Sequence, residues 1–316
     1  MASLHPVIAA ELAASIGKTP YYKLPIKIAR EQAKRGYALR APKVELDQIQ
    51  DIEIPTLGGL MSVRLYRPKK SLNSDCILPI VAFFHGSGFT ILDLDTHDYI
   101  CRRLCQGSGL IVASLSYRLA PEHPYPAAID DGMDAVRWLR DHAIQIGVDA
   151  DRLVLAGDSA GACLAAATAL RMRDEGLEPA AALVMWYPVT DHPSTGWASY
   201  REFSLGYGLT AEGMRWFWSQ YLGGDNVAEQ RWAAPLRAAT LQGFPSTWIV
   251  TAEFDVLRDE GEAFARRLQE AEVDVVISRS SGMNHGFLKY AGVIDEATQG
   301  MTQACQWLRQ SLSLGQ

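Results

Sequence analysis

Apolar residues along the chain fall into two alternating kinds of run. Short, nearly uninterrupted apolar stretches occur at 80–84, 111–116, 152–156, 181–187, 247–252 and 273–279. Runs of this length suit strands covered on both faces. Longer stretches lie between them, at 127–146, 159–175, 259–271 and 293–312. In the first of these, Ile129, Met133, Val136 and Leu139 recur at helical spacing and mark one apolar face. Two further strand-like stretches, 50–55 and 61–67, flank Gly58-Gly59 and read as a hairpin. Alternation of strands and helices predicts an α/β fold, a mostly parallel, doubly wound sheet with helices on both faces.

Two segments stand outside the alternation. Residues 1–45 carry two helical stretches, 6–16 and 25–37, broken by Pro20 and Pro25, and no strand signal. They read as a separate helical cap. Residues 191–225 hold Trp197, Tyr200, Phe203, Tyr207, Trp216, Phe217, Trp218 and Tyr221 between two strands. An ordinary crossover with a helix over 210–222 is one reading. The length and aromatic load favour another, a second cap segment that covers a pocket together with the N-terminal helices. The α/β domain then comprises 46–190 and 226–316.

Composition narrows the partners. With 48% hydrophobic and 21% charged residues in 316, the chain can bury a large core. A net charge of −6, with no basic run beyond Lys69-Lys70, argues against a nucleic-acid partner. No apolar run reaches the roughly 18 residues of a membrane span. The apolar N-terminal stretch is interrupted by Glu11 and follows no Lys or Arg, so it does not read as a signal peptide. The five cysteines, Cys76, Cys101, Cys105, Cys163 and Cys305, show no disulfide or zinc spacing. Cys101 and Cys105 share a helix face and read as buried thiols or as a metal pair. The lack of a histidine at matching spacing favours thiols. No metal or cofactor is expected, and a reducing, cytoplasmic setting fits.

The candidate chemistry sits where predicted strands end. Gly157-Asp158-Ser159-Ala160-Gly161 fits the G-x-S-x-G pattern between a strand and a helix. A sharp turn there lifts the Ser159 side chain clear of the backbone, and Gly157 and Gly161 remove the side chains that would crowd it. The helix N-terminus beneath offers free N–H groups to a developing oxyanion. The alternative is a glycine-rich turn with a capping serine. Of seven histidines, His285 lies in Gly282-Met283-Asn284-His285-Gly286-Phe287, a loop that leaves the last strand at the same edge of the sheet. The orienting acid must come from a loop between serine and histidine. Asp255 follows the strand at 247–252, and Glu253, nearer the strand, is its rival. Asp259 and Glu260 suit the start of the next helix, and Asp274 lies at the wrong end of a strand. The order Ser159, Asp255, His285 is the one α/β-hydrolases use.

His85-Gly86-Ser87-Gly88-Phe89 follows the strand at 80–84, where an α/β-hydrolase places its oxyanion loop. Further pieces are Ser116-Tyr117-Arg118-Leu119-Ala120-Pro121-Glu122-His123-Pro124, the Asp255–Gly261 run, and His285-Gly286-Phe287. Together, over residues 85 to 287, they resemble the hormone-sensitive-lipase-like (family IV) bacterial esterases. That resemblance implies an α/β-hydrolase fold with an eight-stranded sheet and a helical cap, and hydrolysis of short acyl esters. It implies an oxyanion hole built from the N–H groups of Ser87, Gly88 and Ala160. His85, Gly86, Gly157, Asp158, Gly161 and Glu253 would support the site, with His85 a structural loop residue. The 117–124 and 258–260 runs would be scaffold. It also extends to a homodimer through the strand at 273–279, if that strand is a sheet edge.

Three positions depart from the family pattern. Ser87 stands where a glycine is usual, Ala162 where a further glycine is common, and Val256 where proline is common. If position 87 must be left-handed, serine costs roughly 1–2 kcal/mol there. Its hydroxyl could instead donate to the oxyanion or hold a water. Two other functions share the fold: an amide hydrolase such as an arylformamidase or deacetylase, and a non-catalytic ligand receptor, whose relatives lack the histidine present here as His285.

Overall fold

The computed structural model describes residues 3–37, 43–69, 77–224 and 232–314. Cys76, Lys70 and the boundary drawn between 225 and 226 lie outside them. Eight strands, β1 (Gln48–Thr56), β2 (Gly59–Arg67), β3 (Pro79–Phe84), β4 (Ile111–Leu115), β5 (Asp149–Asp158), β6 (Ala182–Trp186), β7 (Thr247–Phe254) and β8 (Val275–Asn284), form one sheet in the order β1-β2-β4-β3-β5-β6-β7-β8. The β1–β2 hairpin and the β2–β4 pair are antiparallel, and every pair from β4 to β8 is parallel.

Strand periodicity divides the core between the two faces. Ile80, Ala82 and Phe84 of β3 and Leu153 and Leu155 of β5 point to one cluster. Val81 and Phe83, with Val154 and Ala156, point to the other. Helices α4 (Ala127–Asp141), α6 (Ala160–Asp174) and α9 (Arg258–Glu270) cover the first face, with Met133, Leu164 and Phe264 among the contacts. Helices α3 (Leu94–Ser108) and α10 (Asp295–Ser311) cover the second with Ile100, Leu104, Met301 and Leu308. Each such side chain taken fully out of water contributes about 1.5–3 kcal/mol before entropy is counted.

Several boundaries move from their sequence expectation. The stretch 127–146 is two helices, because the chain breaks at His142 before α5 (Ala143–Ile146). The last helix starts at Asp295, because a short 3-10 turn occupies Phe287–Tyr290. The late strand runs on to Asn284, five residues past its expected end at 279. It is the sheet edge, and it is not covered on both faces: Val276 and Ile277 stay exposed. Strand β7 also runs two residues further and takes in Glu253.

The two extra segments pack over loops that leave the C-terminal ends of strands. Helix α1 (Pro6–Ala14) is tied to the end of β8: His5 N–H donates to Gly282 O at 2.9 Å, and Lys289 Nζ donates to Glu11 at 2.8 Å. From α2 (Ile26–Gly36), Arg30 donates to Thr90 O, Ala120 O and both oxygens of Glu122. Between β6 and β7, α7 (Ala198–Glu202) is fastened by Ser199 Oγ to Val256 O at 2.6 Å, and α8 (Ala211–Leu222) buries Phe217, Trp218 and Tyr221. The buried α8 aromatics join the same core cluster as Phe89 of the loop after β3.

Candidate active site

Ser159 sits between β5 and α6 with φ 55° and ψ −123°. A non-glycine residue so placed costs about 1–3 kcal/mol and needs its surroundings to hold it. Its N–H donates to Trp186 O at 2.9 Å, and its carbonyl accepts from Cys163 and Val189, each at 3.2 Å. The glycines at either side answer to close packing. A Cβ on Gly157 would overlap the backbone of Gly161, and one on Gly161 would overlap the carbonyl oxygens of Phe84 and His85. The nucleophile turn and the loop after β3 are thus pressed backbone to backbone.

His285 is the first residue after β8 and Asp255 the first after β7, so both reach the rim where Ser159 stands. His285 Nε2 lies 2.8 Å from Ser159 Oγ and its Nδ1 lies 2.7 Å from Asp255 Oδ2. Asp255 is 2% exposed, and its other oxygen accepts the N–H of Leu257 at 3.0 Å, which fixes the carboxylate plane. Glu253 is not brought to this relay. Its carboxylate accepts from Ser281 Oγ at 3.0 Å and Gly282 N–H at 2.8 Å, across the β7–β8 edge. As a strand residue next to β8 it fastens the end of that strand, one step upstream of His285.

The loop after β3 lies against the same turn. Gly86 N–H donates to Asp158 Oδ1 at 2.7 Å, and a Cβ on Gly86 would overlap that carboxylate. Gly88 takes φ 54° and Phe89 φ 63°, whereas Ser87 is not among the left-handed residues. Serine therefore carries no backbone strain at 87. Its hydroxyl is engaged as well: it lies 2.7 Å from Tyr117 Oη and accepts the Phe89 N–H at 2.8 Å. Tyr117 gives its own proton to His85 O at 2.5 Å, which leaves Ser87 as donor in the shared bond. Neither an oxyanion contact nor a held water is needed to employ that hydroxyl. Among the described residues, the N–H groups of Ser87 and Gly88 donate to no backbone acceptor, and Ala160 opens α6, where first-turn N–H groups have no partner within the helix.

His85 is buried and stacked on Tyr117 at 4.4 Å; burial, helped by His97, pushes its pKa down to about 3, so it is neutral. Asp158 is also buried. Burial opposes its ionised form, but His97 and the Gly86 N–H outweigh that and hold the carboxyl below its usual range. Cys101, Cys105, Cys163 and Cys305 are buried free thiols. Among the described residues no group of three or more His, Cys, Asp or Glu could hold a metal, and no helix is long and apolar enough to cross a membrane.

Three residues around the site have no strong sequence signal. Tyr187, with φ 36°, sets its ring edge-on to His285 at 5.0 Å. His97 of α3 faces Asp158, and Phe217 of α8 packs its ring against Gly88. Tyr187 ends the run at 181–187, so the rule that sites lie at C-terminal strand ends could have found it. The other two come from helices that the motifs do not mark.

A family model described as an alpha/beta hydrolase fold matches residues 81–289. The chain belongs to that family. It is a hormone-sensitive-lipase-like esterase of the α/β-hydrolase superfamily, as relatives along nearly its whole length bear out. It is 36% identical over 324 residues to the ethyl acetate hydrolase of Pseudomonas putida, covering 98% of this chain and all of the relative. It is 37% identical over 265 residues to esterase LipI of Mycobacterium tuberculosis, covering 83% and 82%. Among solved structures, a thermostable esterase from Pseudomonas putida superposes with TM-score 0.92 at 35% identity over 99% of both chains. A hyperthermophilic esterase from Pyrobaculum calidifontis superposes with TM-score 0.91 at 34% identity, over 98% of this esterase and 99% of that chain.

Proposed function

We propose that this carboxylesterase hydrolyses short-chain acyl esters through an acyl-enzyme on Ser159. The observation that carries the reading is the continuous relay Ser159–His285–Asp255, with links of 2.8 and 2.7 Å. Neutral His285 takes the Ser159 proton as Oγ attacks the ester carbonyl, then gives it to the leaving alcohol. Water repeats the sequence on the acyl-enzyme. Asp255 keeps the imidazole proton on Nδ1 and stabilises the cation.

The oxyanion is received by the N–H groups of Ser87, Gly88 and Ala160, where each donor is worth about 3–4 kcal/mol in the transition state. The gain is largest because these donors are already in place before charge develops. His85, Gly86, Gly157, Asp158 and Gly161 hold the two loops together, and Glu253 fastens the end of β8. Residues 1–45 and 191–225 cap the pocket over the α/β domain. The Phe217 ring against Gly88 narrows the space beside the oxyanion loop, which favours small acyl groups. The ethyl acetate activity in the relative's name points the same way.

A p-nitrophenyl ester series from acetate to laurate tests the reading, run beside N-formyl and N-acetyl anilides. The highest kcat/KM is expected at acetate or butyrate. A maximum at laurate overturns the short-chain reading, and faster turnover of the anilides makes the enzyme an amide hydrolase. The buried free thiols suit a cytoplasmic enzyme. The exposed β8 edge suits a homodimer, which light scattering checks by mass.

A further inference from the structure

One residue before the nucleophile, Asp158 brings together the oxyanion loop and the surroundings of His285. Its Oδ1 accepts the N–H of Gly86 at 2.7 Å, the start of the oxyanion loop. Its Oδ2 accepts the hydroxyl of Tyr187 at 3.3 Å, and the Tyr187 ring stands edge-on to His285. Its Oδ1 also lies 3.3 Å from His97 Nε2, an ion-pair distance without the alignment of a hydrogen bond. Asp158 is 1% exposed and His97 is wholly buried.

Counting donors around His97 locates its first proton. Thr96 Oγ1 accepts the Asp93 N–H at 3.0 Å and gives its own proton to Asp93 O at 2.7 Å. At 3.0 Å from His97 Nδ1, it can then only accept, so Nδ1 carries a proton. Were Nε2 bare, its lone pair would face the carboxylate of Asp158 in a buried place. One more proton must therefore reside on the pair. The rings of Tyr37, Phe83 and neutral His85 around His97 carry no charge, so burial opposes a cation there and the Asp158 carboxylate has to offset it. A bare carboxylate next to Ser159 would repel the oxyanion, whereas an imidazolium–carboxylate pair is neutral overall.

We propose that His97 and Asp158 form a buried imidazolium–carboxylate pair that acts as a positioning unit, holding the oxyanion loop through Gly86 and the His285 ring through Tyr187 while keeping net negative charge away from the oxyanion. The inference rests on the ester-hydrolase reading above, since it assigns the pair a task in that reaction. Neither residue touches substrate; both act through the loop and the ring.

Two measurements test it. The first reads the wild-type enzyme directly and uses a variant only for assignment. Nitrogen-15 shifts of the histidine rings in the wild-type enzyme at neutral pH, assigned with His97→Gln, should place both His97 nitrogens in the imidazolium range. A bare Nε2 in that spectrum overturns the charge assignment. The second is a double-mutant cycle on kcat and KM for p-nitrophenyl butyrate. Asp158→Ala should lower kcat about 10- to 100-fold, the scale of a small misplacement of reacting groups, with KM little changed. Asp158→Asn keeps acceptor oxygen for Gly86 and should recover part of that loss. His97→Gln should cost more than Asp158→Asn, because it leaves the carboxylate uncompensated. The double variant should then be faster than His97→Gln alone. Multiplicative losses, or folded single variants with wild-type kcat, overturn the positioning role. If the wild-type enzyme turned over no ester, the parent reading would fail instead, and the spectrum would still decide the charge of His97.

Discussion

Replacing Asp255 by asparagine separates the orienting acid from its charge without changing its shape. The side chain is buried and held by the Leu257 N–H, so an asparagine oxygen keeps that bond and its amide group turns toward His285. At 2.7 Å the amide can only donate, and Nδ1 must then accept. The imidazole proton moves to Nε2, where it points at Ser159 Oγ and the ring can no longer act as base. A wrong tautomer of this kind lowers kcat by about 10⁴. At 1.36 kcal/mol per decade that is about 5.4 kcal/mol of barrier. Electrostatics gives a similar figure. A carboxylate about 4 Å from an imidazolium is worth about 4 kcal/mol at an effective dielectric of 20. The assay is steady-state hydrolysis of p-nitrophenyl butyrate at neutral pH, with melting temperature as a check on folding. Glu253→Gln serves as the control and should keep kcat within about twofold, since the change lies away from the relay. If Asp255→Asn kept more than a tenth of wild-type kcat while Glu253→Gln lost most of it, the acid would have to be reassigned.

Outcomes at three further positions follow from the geometry. Ser87→Ala should lower stability by about 1–3 kcal/mol in urea denaturation, because the Phe89 N–H loses a buried acceptor. Ser87→Gly should lose as much, and a gain in stability would reveal left-handed strain at 87. Gly161→Ala should destabilise by at least about 1–3 kcal/mol and collapse turnover, because the new methyl group meets the Phe84 carbonyl; a folded, fully active variant would contradict the packing of the two loops. Glu260 is wholly buried, and burial pushes its carboxyl well above the usual range despite N–H bonds from Thr190 and Asp191. A raised folded pKa contributes stability that is present below the unfolded value of about 4.3 and lost as pH rises through the folded one. Glu260→Gln removes that titration, so the urea midpoint of the wild type should fall relative to the variant from acid to neutral pH; a constant gap would refute it.

What could be read from the chain alone is uneven for physical reasons. The sheet was legible because β3, β4 and β6 are nearly all apolar and are buried at every position, the mark of strands covered twice. The C-terminal end of β8 was not, because an edge strand needs no apolar face: Ser280 and Asn284 continue the ladder opposite Ala252 and Phe254, across a register shift, through backbone pairing that composition does not show. The same shortfall made Glu253 a loop candidate when its strand extends past it. Ser159, Asp255 and His285, which the structure brings together, could be singled out because each follows a strand end within a recognisable motif. Ser87 looked like a departure with a cost, yet the left-handed positions of that loop are Gly88 and Phe89. His97 was missed because its place arises from tertiary approach alone; Tyr187 closed a legible strand and Phe217 stood among the aromatics expected over a pocket, but the partner of neither could be read. Nothing within a few residues of His97 marks it as the neighbour of Asp158, some sixty positions on.

The most direct test of the central claim is stoichiometric labelling with diethyl p-nitrophenyl phosphate, followed by peptide mass spectrometry. An activated Ser159 beside preformed donors should take up one phosphoryl group per chain, on the peptide holding Gly157–Gly161, with release of p-nitrophenol and full loss of ester turnover, and His285→Ala should slow the labelling by orders of magnitude. Labelling at another residue, or undiminished turnover by enzyme phosphorylated at Ser159, would contradict it.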